Sequence, residues 1–172
     1  MSRLAVAVIT IALGCGAGCS SASGTQDAGN GTAGKAVVIN EAFPNGTSVS
    51  DPDWVELKNL TGAAVDLSGY RVRDQALADL FALPGGASID AGGYLVIYAD
   101  DQADGGVDGG VHVPWKLSSK KGDEVHLLDR SGTEIDSTIF GTDVPADKSW
   151  GRLPDGTGSF VRTTPTEGKA NL

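Results

Sequence analysis

Short runs of apolar residues follow one another from Ala36 onward, and most of them alternate with polar residues. Successive side chains of a β-strand point to opposite faces, so a run in which Val55 and Leu57 alternate with charged residues predicts a strand with one face in the core. Glycine, proline, asparagine and aspartate separate the runs, which is typical of an all-β sandwich or barrel. The predicted strands are Ala36–Ala42, Trp54–Asn59, Ala64–Leu67, Tyr70–Arg73, Tyr94–Ala99, Glu124–Asp129, Glu134–Phe140 and Ser159–Arg162.

Two further local signals refine this pattern. The run Tyr94–Ala99 is apolar on both faces, which predicts a central strand. The pairs Ser131-Gly132 and Asp155-Gly156 predict hairpin turns, and hairpins join antiparallel strands. Helical spacing of apolar residues occurs over Asp74–Leu83, where we predict a helix of at most two or three turns with Asp74 as its N-cap.

The first residues have the pattern of an export signal. Arg3 precedes the uncharged run Leu4–Leu13, which is shorter than the about 20 apolar residues of a membrane-spanning helix but suits a secretory signal. Small residues then lead into Cys15 and Cys19, an arrangement similar to the lipobox of bacterial lipoproteins, in which the cysteine is acylated. Cys15 directly follows the apolar run and is the preferred lipidation site. Cys19 is the alternative, and an ordinary cleaved signal is the remaining interpretation.

These features divide the chain of 172 residues into three parts. We predict a lipoprotein signal peptide over residues 1–14, a flexible Gly/Ser-rich tether over residues 15–35 and one folded domain over residues 36–172. The residue after either candidate cysteine, Gly16 or Ser20, is not the aspartate that retains many bacterial lipoproteins at the inner membrane. We therefore expect an outer-membrane lipoprotein of the bacterial cell envelope.

Charge and cysteine content narrow the function classes. The formal net charge is −9, and because DNA and RNA binding depends on clustered basic residues, nucleic acid is an unlikely partner. The predicted domain contains no cysteine, which excludes disulfides and thiolate metal sites there. No nucleophile elbow, phosphate-binding loop or dinucleotide fingerprint occurs in the chain.

Five segments of the predicted domain resemble the lamin tail domain in order and spacing. They are Val38-Ile39-Asn40-Glu41, Asp53 to Asn59, Val65 to Tyr70, Ala91-Gly92-Gly93-Tyr94 and Gly151 to Gly156. The resemblance covers about residues 36 to 171 and departs from the bacterial pattern at Glu167, where proline is common. It implies an all-β, immunoglobulin-like antiparallel β-sandwich that serves as an interaction or attachment module and has no shared catalytic residues.

The acidic, glycine-rich stretch after the Tyr94–Ala99 run is a candidate calcium loop. The side-chain oxygens of Asp100, Gln102, Asp104 and Asp108 fall at positions 1, 3, 5 and 9 of an EF-hand-like loop. The closing glutamate is missing, because Val111 occupies that position. A solvated loop without metal is the alternative, and no other cofactor is predicted.

Glu41, Glu56 and Arg152 lie in the motifs that carry the resemblance. Two carboxylates can form a glycosidase pair. A guanidinium that bridges carboxylates between strands is the preferred interpretation, so we predict that Arg152 pairs with Glu41 or Glu56 as a structural ion pair.

The remaining aromatic residues and histidines suggest weaker candidates. Trp54, Trp115 and Trp150 can form a carbohydrate platform if they are exposed together, although tryptophans pack in cores more often. His112 is expected in a loop and His126 at the solvent.

We therefore predict a lipid-anchored, non-catalytic module that binds an envelope protein or polysaccharide. An exported hydrolase that uses acidic residues, or an accessory subunit of a separately encoded enzyme, is the alternative.

Overall fold

The computed structural model describes residue 32 and residues 34–47, 51–102 and 110–172. Within this part of the chain there are twelve strands and one turn of 3-10 helix at Leu77–Asp79. The strands are β1 (Val37–Phe43), β2 (Asp53–Asn59), β3 (Val65–Asp66), β4 (Arg71–Arg73), β5 (Phe81–Ala82), β6 (Ser88–Ile89), β7 (Tyr94–Ala99), β8 (Val111–Val113), β9 (Asp123–Leu128), β10 (Glu134–Phe140), β11 (Ser149–Leu153) and β12 (Ser159–Thr163).

The strands form two main sheets that pack face to face. The larger sheet has six strands in the order β12-β11-β1-β2-β7-β8, and the smaller has four in the order β10-β9-β4-β5. A two-stranded ribbon, β3-β6, lies beside them. The described pairings are antiparallel, with β7 and β8 as the one parallel pair. This architecture confirms the predicted all-β sandwich.

The core lies between the two sheets and follows the predicted alternation. Val55 and Leu57 of β2 and Ile97 of β7 point from the larger sheet toward Val125 and Leu127 of β9. Each of these side chains is almost completely excluded from solvent. Burial of such apolar surface contributes about 25 cal/mol for each Å², and this is the main force that holds the two sheets together.

The predicted helix over Asp74–Leu83 is wrong apart from its short 3-10 turn. The Oδ1 atom of Asp74 accepts a hydrogen bond from the backbone N–H of Ala76, and Asp74 does not cap a helix. Phe81 pairs with Val72 as part of β5. Strand pairing in the smaller sheet therefore overrides the local helical spacing, because it supplies backbone hydrogen bonds together with apolar burial.

Strand positions were otherwise predicted well, with some omissions. The run Tyr94–Ala99 coincides with β7, although this strand lies next to the edge strand β8 and not at the centre of the sheet. Both predicted hairpins are present, and their turn glycines, Gly132 and Gly156, have positive φ angles of 87° and 69°. The pattern did not reveal β5, β6, β8 and β11.

The register of β1 defines the two ends of the sandwich. Val37 pairs with Asn59 at one end, and Phe43 pairs with Trp54 at the other, about 20 Å away at 3.3 Å for each residue. The register shifts by one residue between Ile39 and Glu41, which is a β-bulge. We call the Val37 end the tether end and the Phe43 end the loop end.

Candidate functional site

A buried ion pair joins the two sheets behind the bulge. Arg152 is 1% exposed, and its Nη2 atom lies 3.1 Å from both carboxylate oxygens of Asp136 in β10. Its Nε atom donates to the carbonyl of Ile39, and Nη1 donates to the carbonyl of Gly158. Asp136 also accepts the backbone N–H of Ile39 at 2.7 Å. The pair therefore ties β11 to β10 and supplies hydrogen bonds that the bulge removes from the β1 ladder.

The prediction that Arg152 pairs with Glu41 or Glu56 is wrong in its partner. Gly151 lies opposite Glu41 in the ladder between β1 and β11. Neighbouring residues of a strand point to opposite faces, so Arg152 extends between the sheets toward Asp136, away from both glutamates. The expected structural role fits the geometry, since the guanidinium links several strands.

Glu41 and Glu56 lie side by side on the outer face of the larger sheet. They are direct partners in the ladder between β1 and β2, and both are 0% exposed. Residues 164–172, which we call the C-terminal strap, cover them. Thr166 donates to Glu41 Oε2 from its backbone N–H at 3.2 Å and from its hydroxyl at 2.8 Å. Gly168 donates its backbone N–H to Glu56 Oε2 at 2.7 Å.

Neutral groups of the sheet satisfy the other oxygens of the two glutamates. The hydroxyl of Ser149 donates to Glu41 Oε1, and the side-chain amide of Asn40 donates to Glu56 Oε1. The amide of Asn171 in the strap donates to the carbonyl of Asn40 at 3.1 Å. Within the part of the chain that the structure describes, every buried side-chain nitrogen and oxygen has a hydrogen-bond partner.

The electrostatics of this carboxylate pair follow from its burial. Desolvation raises the pKa of Glu56 to about 7, and repulsion from Glu41 acts in the same direction against the hydrogen bonds from Asn40 and Gly168. Desolvation also raises the pKa of Glu41. Catalytic acids often have raised pKa values, but a glycosidase pair must flank its substrate. The strap covers this pair, which favours a structural role.

A separate polar cavity of about 210 Å³ lies at the loop end, where β2 begins and β7 ends. Thr47, Asp53, Asp100 and Lys116 contribute to its lining. The backbone N–H of Gly46 donates to Asp53 Oδ1 at 2.7 Å. Burial raises the pKa of Asp53 to about 6 against this hydrogen bond. Three connecting segments that follow β1, β7 and β8 meet at this cavity.

The candidate calcium ligands are only partly within the described residues. Asp104 and Asp108 lie outside them. Asp100 Oδ2 lies 2.8 Å from His112 Nδ1, and Gln102 donates to both carboxylate oxygens of Asp100. No group of three or more histidine, cysteine, aspartate or glutamate residues suited to a metal occurs in the described ranges. The calcium site stays a prediction.

The tryptophans do not form an exposed platform. Trp54 and Trp115 are each 4% exposed, and Trp54 stacks on Phe43 with ring centroids 5.6 Å apart. Trp150 is half-buried and donates to the hydroxyl of Thr138. The carbohydrate platform is therefore wrong, because core packing takes up these rings.

Both histidines lie where the sequence did not place them. His112 is buried in β8 and not in a loop. His126 lies between the carboxylates of Glu124 and Glu134, at 3.0 and 2.7 Å, and its side chain is 12% exposed. His126 lies on the outer face of the smaller sheet opposite Ser137, and the two carboxylates cover it in part.

The predicted signal peptide, Cys15, Cys19 and most of the tether lie outside the described residues. Among the residues that the structure does describe, no helix is long and apolar enough to cross a membrane.

Two packed, mainly antiparallel sheets with a buried cross-sheet ion pair define the protein as an immunoglobulin-like β-sandwich. The family model of the lamin tail domain matches residues 30–142, which is more than half of the chain. The chain belongs to the lamin tail domain family, whose members are non-catalytic interaction modules. No curated protein matches the chain. β11, β12 and the C-terminal strap follow the matched region.

Proposed function

We propose that this protein is a lipid-anchored module that the bacterial cell envelope displays, and that its loop end binds an envelope protein or polysaccharide. One observation carries the proposal. The chain enters the sandwich at Val37, at the tether end, while the polar cavity around Asp53 and Asp100 lies at the opposite end. A lipid on Cys15 and a flexible tether over residues 15–35 then attach the domain by its tether end, which leaves this cavity at the far end of the sandwich.

The loop end has the properties of a recognition surface. Connecting loops carry binding residues more often than strands do, because a rigid sandwich holds them in place. Asp53 and Asp100 line the cavity, and Lys116 lies 3.3 Å from Asp101 at its exposed rim. The exposed carboxylate of Asp101 and the hydroxyl of Thr47 suit a partner that offers hydroxyl or cationic groups, such as a polysaccharide or a basic patch of an envelope protein.

The anchor is tested by acylation. Cells that express the full-length chain with Cys15→Ser or Cys19→Ser are labelled with a fatty-acid analogue. We expect Cys15→Ser to abolish labelling and to release the protein from the membrane fraction, while Cys19→Ser keeps both. If labelling is lost only in Cys19→Ser, Cys19 is the acylated residue. If the native chain is not labelled, the protein is not lipidated.

Partner binding is tested by affinity capture from envelope extract with the tagged full-length protein. Asp101→Asn removes a negative charge at the loop end, and Asp66→Asn removes one beside Arg130 at the tether end. These two side chains are similarly exposed, 62% and 63%. We expect Asp101→Asn to lower recovery of the partner at least fivefold and Asp66→Asn to leave it unchanged. Equal recovery by both variants contradicts binding at the loop end.

The alternatives predict different results in the same experiments. A hydrolase that uses the acidic residues predicts turnover that Glu56→Gln abolishes without unfolding the domain. The burial of Glu56 under the strap speaks against this alternative. An accessory subunit predicts that capture returns a separately encoded enzyme.

A further inference from the structure

Polar contacts, and not apolar burial, hold the C-terminal strap on the larger sheet. Of its residues 164–172, only Asn171 is buried, and Leu172 is 88% exposed. Two of its attachments, at Thr166 and Gly168, are hydrogen bonds to the carboxylates of Glu41 and Glu56. A segment without an apolar anchor opens at low cost, because it loses few contacts when water replaces its hydrogen bonds.

The closed strap keeps two carboxylates together in a site that excludes water. Glu41 and Glu56 face each other across the β1–β2 ladder, and neither is exposed. Neutral hydroxyl, amide and backbone groups supply the hydrogen bonds that these carboxylates accept. The Arg152 guanidinium lies on the other face of the sheet, paired with Asp136. Two negative charges close together and away from water are unfavourable, and one bound proton removes much of that cost.

We propose that the C-terminal strap is a pH-dependent latch, closed while Glu41 and Glu56 retain a proton between them and open once both carboxylates are ionised. Opening uncovers a polar, negatively charged face over β1 and β2 that is distinct from the loop-end cavity.

The direction of the pH effect follows from proton linkage. Burial raises the pKa of Glu56 to about 7, and release of the strap returns water to this carboxylate and lowers its pKa toward the ordinary value of 4.5. The closed form therefore binds more protons than the open form between these two values. A rise in pH across this window favours opening, by at most ~300-fold if the full pKa difference is recovered.

Other charged groups near the strap do not reverse this dependence. The titratable side chains that lie on the strap or face it are Lys58, Tyr94, Tyr98, Lys148, Asp155, Glu167 and Lys169. Asp155 accepts the backbone N–H of Asn171 at 3.0 Å and pairs with Lys58 at 2.8 Å. The pKa of Asp155 is lowered and that of Lys58 is raised, so both keep their charges between pH 5 and pH 8. Asp155 thus holds the end of the strap equally throughout this range.

The latch is tested by hydrogen exchange of the full-length chain in detergent at pH 5, 6, 7 and 8. Protection factors, which remove the intrinsic pH dependence of exchange, are measured for the amides of Thr166 and Gly168. We expect them to fall at least 30-fold from pH 5 to pH 8. The amide of Leu127, a residue that is 0% exposed in β9 between β10 and β4, reports global unfolding and should keep a protection factor well above those of the strap amides at every pH.

Two variants separate the latch from a general loss of stability. Residue 56 cannot ionise in Glu56→Gln, so the pH dependence of strap protection should shrink to the part that Glu41 contributes, while Glu134→Gln in the smaller sheet should keep the native profile. Strap protection in the native chain that is constant from pH 5 to pH 8, or that equals the protection of Leu127 at every pH, overturns the proposal. The native profile alone decides the question if Glu56→Gln does not fold.

Discussion

Replacement of Asp136 by alanine removes the carboxylate that the buried Arg152 guanidinium contacts. Arg152 is 1% exposed and the side chain of Asp136 is 0% exposed, so neither charge is solvated by bulk water. In Asp136→Ala the guanidinium remains between the sheets without this counter-charge, and the backbone N–H of Ile39 at the bulge loses its acceptor. The hydrogen bonds from Arg152 to the carbonyls of Ile39 and Gly158 remain.

The expected loss is a large part of the stability of the domain. Removal of one partner from a buried ion pair costs about 3–5 kcal/mol. Domains of this size unfold with a free energy of about 5–15 kcal/mol, so Asp136→Ala should remove about a third to a half of the stability of an average chain and bring one at the lower end close to unfolding. We expect the midpoint of thermal unfolding to fall by about 10–20 °C.

Urea unfolding followed by tryptophan fluorescence measures this loss. Asp66→Ala is the matched control, because it removes the partner of Arg130 in a surface pair whose side chains are 63% and 54% exposed, and its effect on the free energy of unfolding should be much smaller than that of Asp136→Ala. The double variant Asp136→Leu/Arg152→Met should lose less than the sum of its single changes, since it removes the guanidinium together with its counter-charge, although Lys35, 22% exposed and 2.8 Å from Asp136, loses this partner as well. A cost for Asp136→Ala as small as that of Asp66→Ala refutes the reasoning.

Three further predictions concern the strap contacts, the pH dependence of stability and the loop end. Gly151→Ala places a methyl group 2.8 Å from the Thr163 hydroxyl and 2.9 Å from the Asn171 amide. The free energy of unfolding in urea should therefore fall by about 1–3 kcal/mol, and an unchanged urea midpoint would show that the methyl group meets no such crowding. Burial raises the pKa of Asp53 from 3.8 to about 6, so the folded chain binds more protons than the unfolded one in this window and unfolding free energy falls as pH rises through it. Asp53→Asn should flatten that slope, by at most about 3 kcal/mol across the window, and an unaltered slope excludes Asp53 as its source. Because hydrogen bonds already engage both carboxylate oxygens of Asp100, 1 mM Ca²⁺ should leave the melting temperature unchanged. If Ca²⁺ raises the melting temperature of the native chain but not that of Asp104→Asn, the loop does bind calcium.

Much of the architecture was predictable from local pattern. Alternation of apolar and polar residues located β2 and β10 almost to the residue, a run that is apolar on both faces located β7, and the turn glycines Gly132 and Gly156 marked two hairpins. These signals are local, because each strand must present one face to the core and each tight turn needs a residue that tolerates positive φ. Short strands such as β5 and β8 carry too few residues to show any alternation, so pattern alone did not reveal them.

Side-chain contacts between residues that are far apart in the sequence were not predictable in the same way. Arg152 and both glutamates were recognised as a structural set, but the residue that pairs with Arg152 is Asp136, which no sequence motif marked. The bulge between Ile39 and Glu41 and the alternation along β11 determine which face each side chain occupies. A shift of one residue sends a side chain to the other face of the sheet, so the ladder register decides its partner.

By itself the sequence thus determined the fold class, the strands with clear alternation and the family, because these depend on spacing along the chain. Only the tertiary structure decided that Asp136 neutralises Arg152, that the strap covers Glu41 and Glu56, and that the polar cavity lies opposite the point where the tether enters. These contacts join residues far apart in sequence, such as Glu41 and Thr166. Such contacts form only after two sheets have packed, and the energies that select them come from burial that no local segment experiences alone.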